Sequence, residues 1–234
     1  VYNIYLFLKI HFKQNPVKDI EIECSYYNFL GEFYGYLGKW KEGLDYSLKA
    51  KEGCKEYSIK EYFKAQAKEL CYRYFYEGYY NRDDVRGLIK LYDDIKINNY
   101  VLKTIFRFYN ISILEKDIEF ANELFNKFKD ICHDLDSSML NVFEKHMRLN
   151  LSNDKEELLE IEDFFKKRNF SSLHIRFQFY YVLGMKWFHL GEYKRSIHHL
   201  LKSIDVLLQK IGAIDDEDFK RSIIESRNGD NIKY

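Results

Sequence analysis

Three histidines, His189, His198 and His199, are the residues of this chain whose type is most suited to binding a metal ion. Neighbouring helix positions 198 and 199 point in different directions, and no carboxylate or cysteine at i, i+4 spacing completes a ligand set. The acidic run 156–163 is typical of a solvated helix face. The sequence contains no glycine-rich phosphate loop, no G-x-S-x-G and no H-E-x-x-H. We therefore expect no catalytic residue, no metal site and no cofactor, and we expect that the protein is not an enzyme.

A cluster of tyrosines is the second feature whose side chains suit a binding role. Tyrosine offers a large contact area at a low entropic cost, so the cluster is suited to an aromatic recognition wall. The alternative is a thick core between helices whose hydroxyl groups reach water, and we favour it because aromatic side chains are usually buried in this way. The cluster consists of Tyr72, Tyr74, Tyr76, Tyr79 and Tyr80.

The elements that position these side chains are helices. Apolar residues recur in steps of three and four along the whole chain, which contains a single proline, Pro16, and no segment that alternates at period two. Gly38 is expected to cap one helix, and Asn98-Asn99 is expected to break another. The spacing predicts helices over residues 1–13, 17–37, 41–52, 59–77, 83–95, 100–114, 117–132, 136–149, 153–167, 173–190, 192–211 and 215–226.

Composition limits the class of protein. Among 234 residues, 37 basic and 37 acidic side chains give a net charge of zero, which argues against a general nucleic-acid binder. No apolar run reaches the length of about 18 residues that a membrane span needs. The cysteines show no C-x-x-C spacing, so we expect reduced thiols and a cytoplasmic location. The chain starts at Val1 without Met, so we expect either a trimmed sequence or the carboxy-terminal part of something longer.

Two stretches of the sequence repeat one pattern. In residues 27–50 and 180–203, a Leu-Gly pair is followed after five residues by a second Leu-Gly pair. The stretches Tyr27-x2-Leu30-Gly31-x2-Tyr34 and Tyr180-x2-Leu183-Gly184-x2-Trp187 resemble the tetratricopeptide (TPR) repeat, W-x2-L-G-x2-Y. Small residues of the second repeat helix follow in both copies. These are Gly43, Ala50, Ser196 and Ser203.

The resemblance implies a fold. We expect an all-α protein, a right-handed superhelical stack of antiparallel helix hairpins, which is a TPR-like α-solenoid. A single domain would cover residues 1–234, with the strongest repeats at 24–53 and 173–211, and with a capping helix and frayed tail at 215–234. The terminal proline of the repeat pattern is absent throughout.

The same resemblance assigns residues of the first repeat helices to the concave groove. Asparagine and glutamine there would hydrogen-bond an extended peptide backbone, and lysine would take a carboxylate. The alternative is that these are ordinary solvated or packing residues. The groove positions are Asn28, Glu32, Tyr36, Lys68, Tyr72, Lys103, Asn110, Gln178, Tyr181 and Met185.

The chain is also similar to the repeat domains of peptide-sensing transcriptional regulators of Gram-positive bacteria and their phages, which act in quorum sensing. Such proteins usually carry a helix-turn-helix before the repeats, which this sequence lacks, and many dimerise. We expect a non-catalytic module that binds a peptide or protein segment, a possible homodimer with no direct nucleic-acid contact and no membrane contact. The alternatives are a structural scaffold or subunit of a larger assembly, and a phosphatase-type regulator whose chemistry lies in a missing amino-terminal bundle.

Overall fold

A computed structural model describes residues 19–95, 98–132, 138–167, 173–212 and Arg221. These residues form helices and contain no strand, which confirms the prediction of an all-α fold. None of the helices is both long and apolar enough to cross a membrane. The segments 1–13 and 215–226, predicted as helices, lie outside the described residues apart from Arg221, which is helical. The helices are α1 (Ile20–Tyr36), α2 (Trp40–Cys54), α3 (Ile59–Glu77), α4 (Arg82–Ile95), α5 (Asn98–Leu114), α6 (Ile118–Cys132), α7 (Ser138–Leu151), α8 (Lys155–Lys166), α9 (Leu173–His189) and α10 (Tyr193–Gly212).

Local signals at the helix ends explain why these bounds lie close to the predicted ones. The Asp19 carboxylate accepts hydrogen bonds from the backbone N–H groups of Glu21 and Ile22, which satisfies free donors at the start of α1. Gly78 ends α3 with a φ of 69°, a left-handed conformation that glycine adopts without strain. One predicted helix boundary differs from the structure. Asn98 and Asn99 are the first two residues of α5, whereas the sequence predicted that they lie between two helices. Asparagine is favoured at helix starts, so the same residues serve either role.

The chain divides into two compact units, residues 1–108 with 221–234, and residues 109–220. In the first unit, α1, α2 and α3 pack around a core that includes Leu30, Phe33 and Phe63. In the second unit, α7, α8 and α9 bury a cluster centred on Trp187, in which the Phe165 and Phe179 rings stack 3.7 Å apart.

The two repeated stretches form the two closest helix hairpins, α1 with α2 and α9 with α10. A Cβ atom at Gly31 would lie 2.8 Å from Ser47 Oγ, and one at Gly184 would lie 2.8 Å from Leu200 Cγ. The small side chains of Ala50 and Ser196 are buried where the paired helices meet. The Leu-Gly pattern therefore specifies the close approach of two helices within each hairpin.

Candidate functional site

A polar cleft of about 240 Å³ opens in the first unit. Three helices, α1, α3 and α5, each contribute residues at steps of three and four, so each presents one face to the cleft. The residues with polar groups or aromatic rings that line the cleft are Ser25, Asn28, Phe29, Glu32, Glu61, Phe63, Lys64, Lys68, Tyr100, Lys103, Thr104 and Arg107.

Asn28 lies in the wall of the cleft and is only 3% exposed. Its Nδ2 atom donates to the backbone carbonyl of Glu61 at 3.0 Å and to Glu61 Oε2 at 2.9 Å. The other end of the amide, Oδ1, is buried and accepts no hydrogen bond within the described part of the chain. A buried acceptor without a partner costs free energy, which a donor on a ligand would recover.

Lys68 is the most buried cation of the cleft, at 7% exposed. Its Nζ atom donates to the backbone carbonyl of Asn28 at 2.6 Å and lies 3.4 Å from the Glu32 carboxylate. Burial lowers the pKa of Lys68 to about 8, although the Glu32 carboxylate acts in the opposite direction. The ammonium group is therefore charged at neutral pH but poorly solvated.

The cleft has an excess of positive charge. Its lining contains four cationic side chains, Lys64, Lys68, Lys103 and Arg107, and two carboxylates, so two positive charges are not balanced locally. One carboxylate, Glu61, pairs with Lys64 at 2.6 Å, and Lys64 Nζ also lies 4.4 Å from the centre of the Tyr100 ring. A chain of zero net charge thus concentrates cations at one concave surface, which favours an anionic ligand.

Four of the ten residues predicted to line a groove lie together in this cleft, namely Asn28, Glu32, Lys68 and Lys103. Tyr72 does not line it. This side chain is 4% exposed and packs into the notch left by Gly35 and Gly43, where a Cβ atom would meet its ring. The side chain of Tyr36 lies outside the described residues.

The remaining predicted groove residues, Asn110, Gln178, Tyr181 and Met185, belong to the second unit. Asn110, Gln178 and Met185 are half-buried. Tyr181 is 40% exposed and stacks on Phe177, with ring centres 6.2 Å apart.

Three cleft residues with clear binding chemistry were not predicted from the sequence, namely Lys64, Thr104 and Arg107. Each lies one or four residues from a predicted position on the same helix, Lys64 from Lys68 and the other two from Lys103. Extending the helical register by one turn would have found Lys64 and Arg107, whereas Thr104 directly follows Lys103 and lies three residues before Arg107.

The second unit holds a buried contact between a histidine and a glutamate, and neither residue lines the cleft. His199 Nε2 lies 3.3 Å from Glu162 Oε1, and both residues are less than 10% exposed. Burial lowers the pKa of His199 to about 4, against the effect of Glu162. The imidazole is therefore neutral at physiological pH and joins α8 to α10 as a polar core residue. No group of three or more potential metal ligands occurs among the described residues.

Comparisons of this chain with protein-family models, with curated proteins and with solved structures returned no match.

Proposed function

We propose that this protein is a non-catalytic module that binds an acidic peptide or protein segment in the cleft formed by α1, α3 and α5. The observation that carries the proposal is the pair Asn28 and Lys68, in which a buried acceptor without a donor adjoins a buried, poorly solvated ammonium group. A peptide would supply both a backbone N–H that donates to Asn28 Oδ1 and a carboxylate that adds a further opposite charge beside Lys68.

The arrangement of the cleft supports a TPR-like reading of the helix hairpins. Its three walls come from alternate helices, as the concave surface of a superhelical stack would require. More specifically, we propose that the chain is the ligand-sensing domain of a peptide-responsive transcriptional regulator. The similarity of the repeated stretches to such domains supports this more specific role.

The test is a thermal-shift and calorimetric titration with short synthetic peptide pools that are acidic, neutral or basic. We expect the acidic pool to raise the melting temperature of the wild-type protein, with a stabilisation of about 2.7 kcal/mol when free ligand is 100 times its Kd. Lys68→Met should abolish the shift. Lys90→Met is the matched control, because Lys90 is exposed on α4 and lies outside the cleft.

The pH dependence of binding tests the same site independently. Lys68 is charged below its pKa of about 8, so affinity for the acidic pool should fall as pH rises from 7 to 9. Lys90→Met should show the same fall, because it leaves the pKa of Lys68 unchanged.

A structural scaffold or assembly subunit is the competing function. It is supported by large apolar side chains on the surface of α10, which are suited to a protein partner. If no pool shifts the melting temperature and a pull-down returns one stoichiometric protein, the peptide-binding proposal is wrong and the scaffold is favoured.

A further inference from the structure

Two cysteines of the first unit lie side by side in its core, Cys24 on α1 and Cys54 at the end of α2. They are 1% and 0% exposed, and both are free thiols. The two thiols share a hydrogen bond, and Cys54 Sγ also donates to the backbone carbonyl of Ala50 at 2.6 Å. The proposed peptide-binding function uses neither thiol, so the pair calls for its own explanation.

Glycines where α1 meets α2 bring the two thiols within bonding reach. Packed helices ordinarily lie roughly 8–10 Å apart, whereas a disulfide joins Cα atoms only about 4.4–6.8 Å apart. A Cβ atom at Gly31 would lie 3.3 Å from the backbone oxygen of Gly43, so the two backbones approach closely. A Cβ atom at Gly53 would lie 3.1 Å from Cys24 Sγ, so glycine beside Cys54 leaves the room that the first thiol occupies.

We propose that Cys24 and Cys54 form a site of reversible oxidation, in which a peroxide converts the two thiols to a disulfide that joins α1 to α2. The peroxide first oxidises one thiol to a sulfenic acid and releases one water. The other thiol then attacks the sulfenic sulfur, the S–S bond forms, and the hydroxyl leaves as a second water. In total the thiols lose two electrons and two protons, and hydrogen peroxide is reduced to two waters.

The burial of the pair determines how readily it reacts. Burial raises the pKa of both thiols, that of Cys54 to about 12, so the reactive thiolate is scarce at neutral pH. Cys54 is the last residue of α2, and a turn at residues 55–57 follows it. Opening of this helix end exposes Cys54 without unfolding the core. The pair therefore responds slowly, to sustained oxidation and not to a brief exposure.

The disulfide would restrain the part of α1 that carries one wall of the cleft. Asn28 lies one helical turn beyond Cys24, and its amide donates to the Glu61 carboxylate at 2.9 Å. The charge of Glu61 also raises the pKa of both thiols, which shows that the pair and this contact are close neighbours. In the unfolded chain the same bond would close a loop over residues 25–53, which stabilises the folded state.

The experiment treats the folded full chain with hydrogen peroxide for several hours and maps its cysteines by peptide mass spectrometry. The chain carries Cys132→Ser, because Cys132 is only half-buried and could join two copies. We expect a peptide that links Cys24 to Cys54 and lacks two hydrogens, and dithiothreitol should release it. Oxidation should raise the melting temperature by roughly 5–10 °C, and the reductant should reverse the rise.

Single replacements identify the thiols responsible. Cys24→Ser and Cys54→Ser should each abolish the rise in melting temperature. Cys71→Ser is the matched control, since Cys71 is buried on α3 and its replacement leaves the pair intact, so the rise should persist. Peptide mapping of the chain that retains both thiols decides the matter even if a replacement disturbs folding. Recovery of Cys24 and Cys54 as unlinked residues, linkage of either one to Cys71, or a disulfide that lowers the melting temperature overturns the proposal.

Discussion

Lys68 places an ammonium group where little water reaches it. Its hydrogen bond to the Asn28 carbonyl and its ion pair with Glu32 offset only part of the cost, because the pKa still falls to about 8. A buried lysine that remains charged lowers the stability of the folded state. Such residues are expected at sites where function requires the charge. Under the proposed function, the position of Lys68 is a compromise between folding stability and affinity for an anionic ligand.

Replacement of Lys68 by methionine tests this compromise through the free energy of unfolding. Lys68→Met should raise that free energy by about 1–3 kcal/mol at pH 7, because it removes a charge that folding desolvates. The unfolded chain binds more protons than the folded one between about pH 8 and 10, so wild-type stability rises with pH across that window. The advantage of the variant should accordingly shrink by pH 10. Urea denaturation at both pH values measures the effect, and a variant less stable than wild type at pH 7 would contradict it.

At the scale of elements, the glycines of the Leu-Gly pairs set how closely two helices approach. Gly184→Ala places a methyl group 2.8 Å from Leu200 Cγ and 3.2 Å from the backbone nitrogen of Leu200. We expect a loss of about 1–3 kcal/mol in the free energy of unfolding, because the hairpin must open to relieve the overlap. Thermal and urea melts measure the loss.

Two comparisons control for helix propensity and for the nature of the clash. Gly87→Ala, where no atom lies within 4 Å, should stabilise the protein by ~0.5–1 kcal/mol, as alanine does in an exposed helix. Gly31→Ala should cost less than Gly184→Ala, because the nearest atom is the hydroxyl of Ser47, and adding Ser47→Ala should recover part of the loss. If Gly184→Ala and Gly87→Ala change the free energy of unfolding equally, the α9–α10 hairpin does not depend on close packing at Gly184.

Helix positions were predictable from the sequence because their causes are local. Asp19, Ser58 and Asp154 cap helices through hydrogen bonds that span only two or three residues. Part of the cleft was also predictable, since Asn28 and Lys68 occupy equivalent faces of α1 and α3. The burial of Tyr72 agrees with the core interpretation favoured for the tyrosine cluster, but its helical register alone had placed it in the groove. The burial depends on the notch formed by Gly35 and Gly43, which exists only after α1 and α2 have packed.

At the scale of the whole molecule, the cleft lies entirely within one of the two compact units. Binding of the acidic peptide pool should therefore slow amide hydrogen exchange in α1, α3 and α5. It should leave α8, α9 and α10 unchanged, because ligand contacts raise the cost of opening chiefly in the segments that make them. Exchange measured by mass spectrometry with and without the pool tests this expectation, with Lys68→Met as the control. Slower amide exchange only in α8, α9 and α10 would show that the peptide binds outside the cleft.

The unsatisfied Oδ1 atom of Asn28 has a consequence for the kind of backbone that the proposed peptide site would accept. The atom only accepts hydrogen bonds, so it distinguishes an amide from an ester of the same length and shape. An amide N–H would satisfy it, whereas an ester oxygen in the same place would face it lone pair to lone pair. If a peptide binds in the cleft as we propose, the contact with Asn28 Oδ1 would favour a secondary amide at that point of the backbone over proline, an N-methylated residue or an ester.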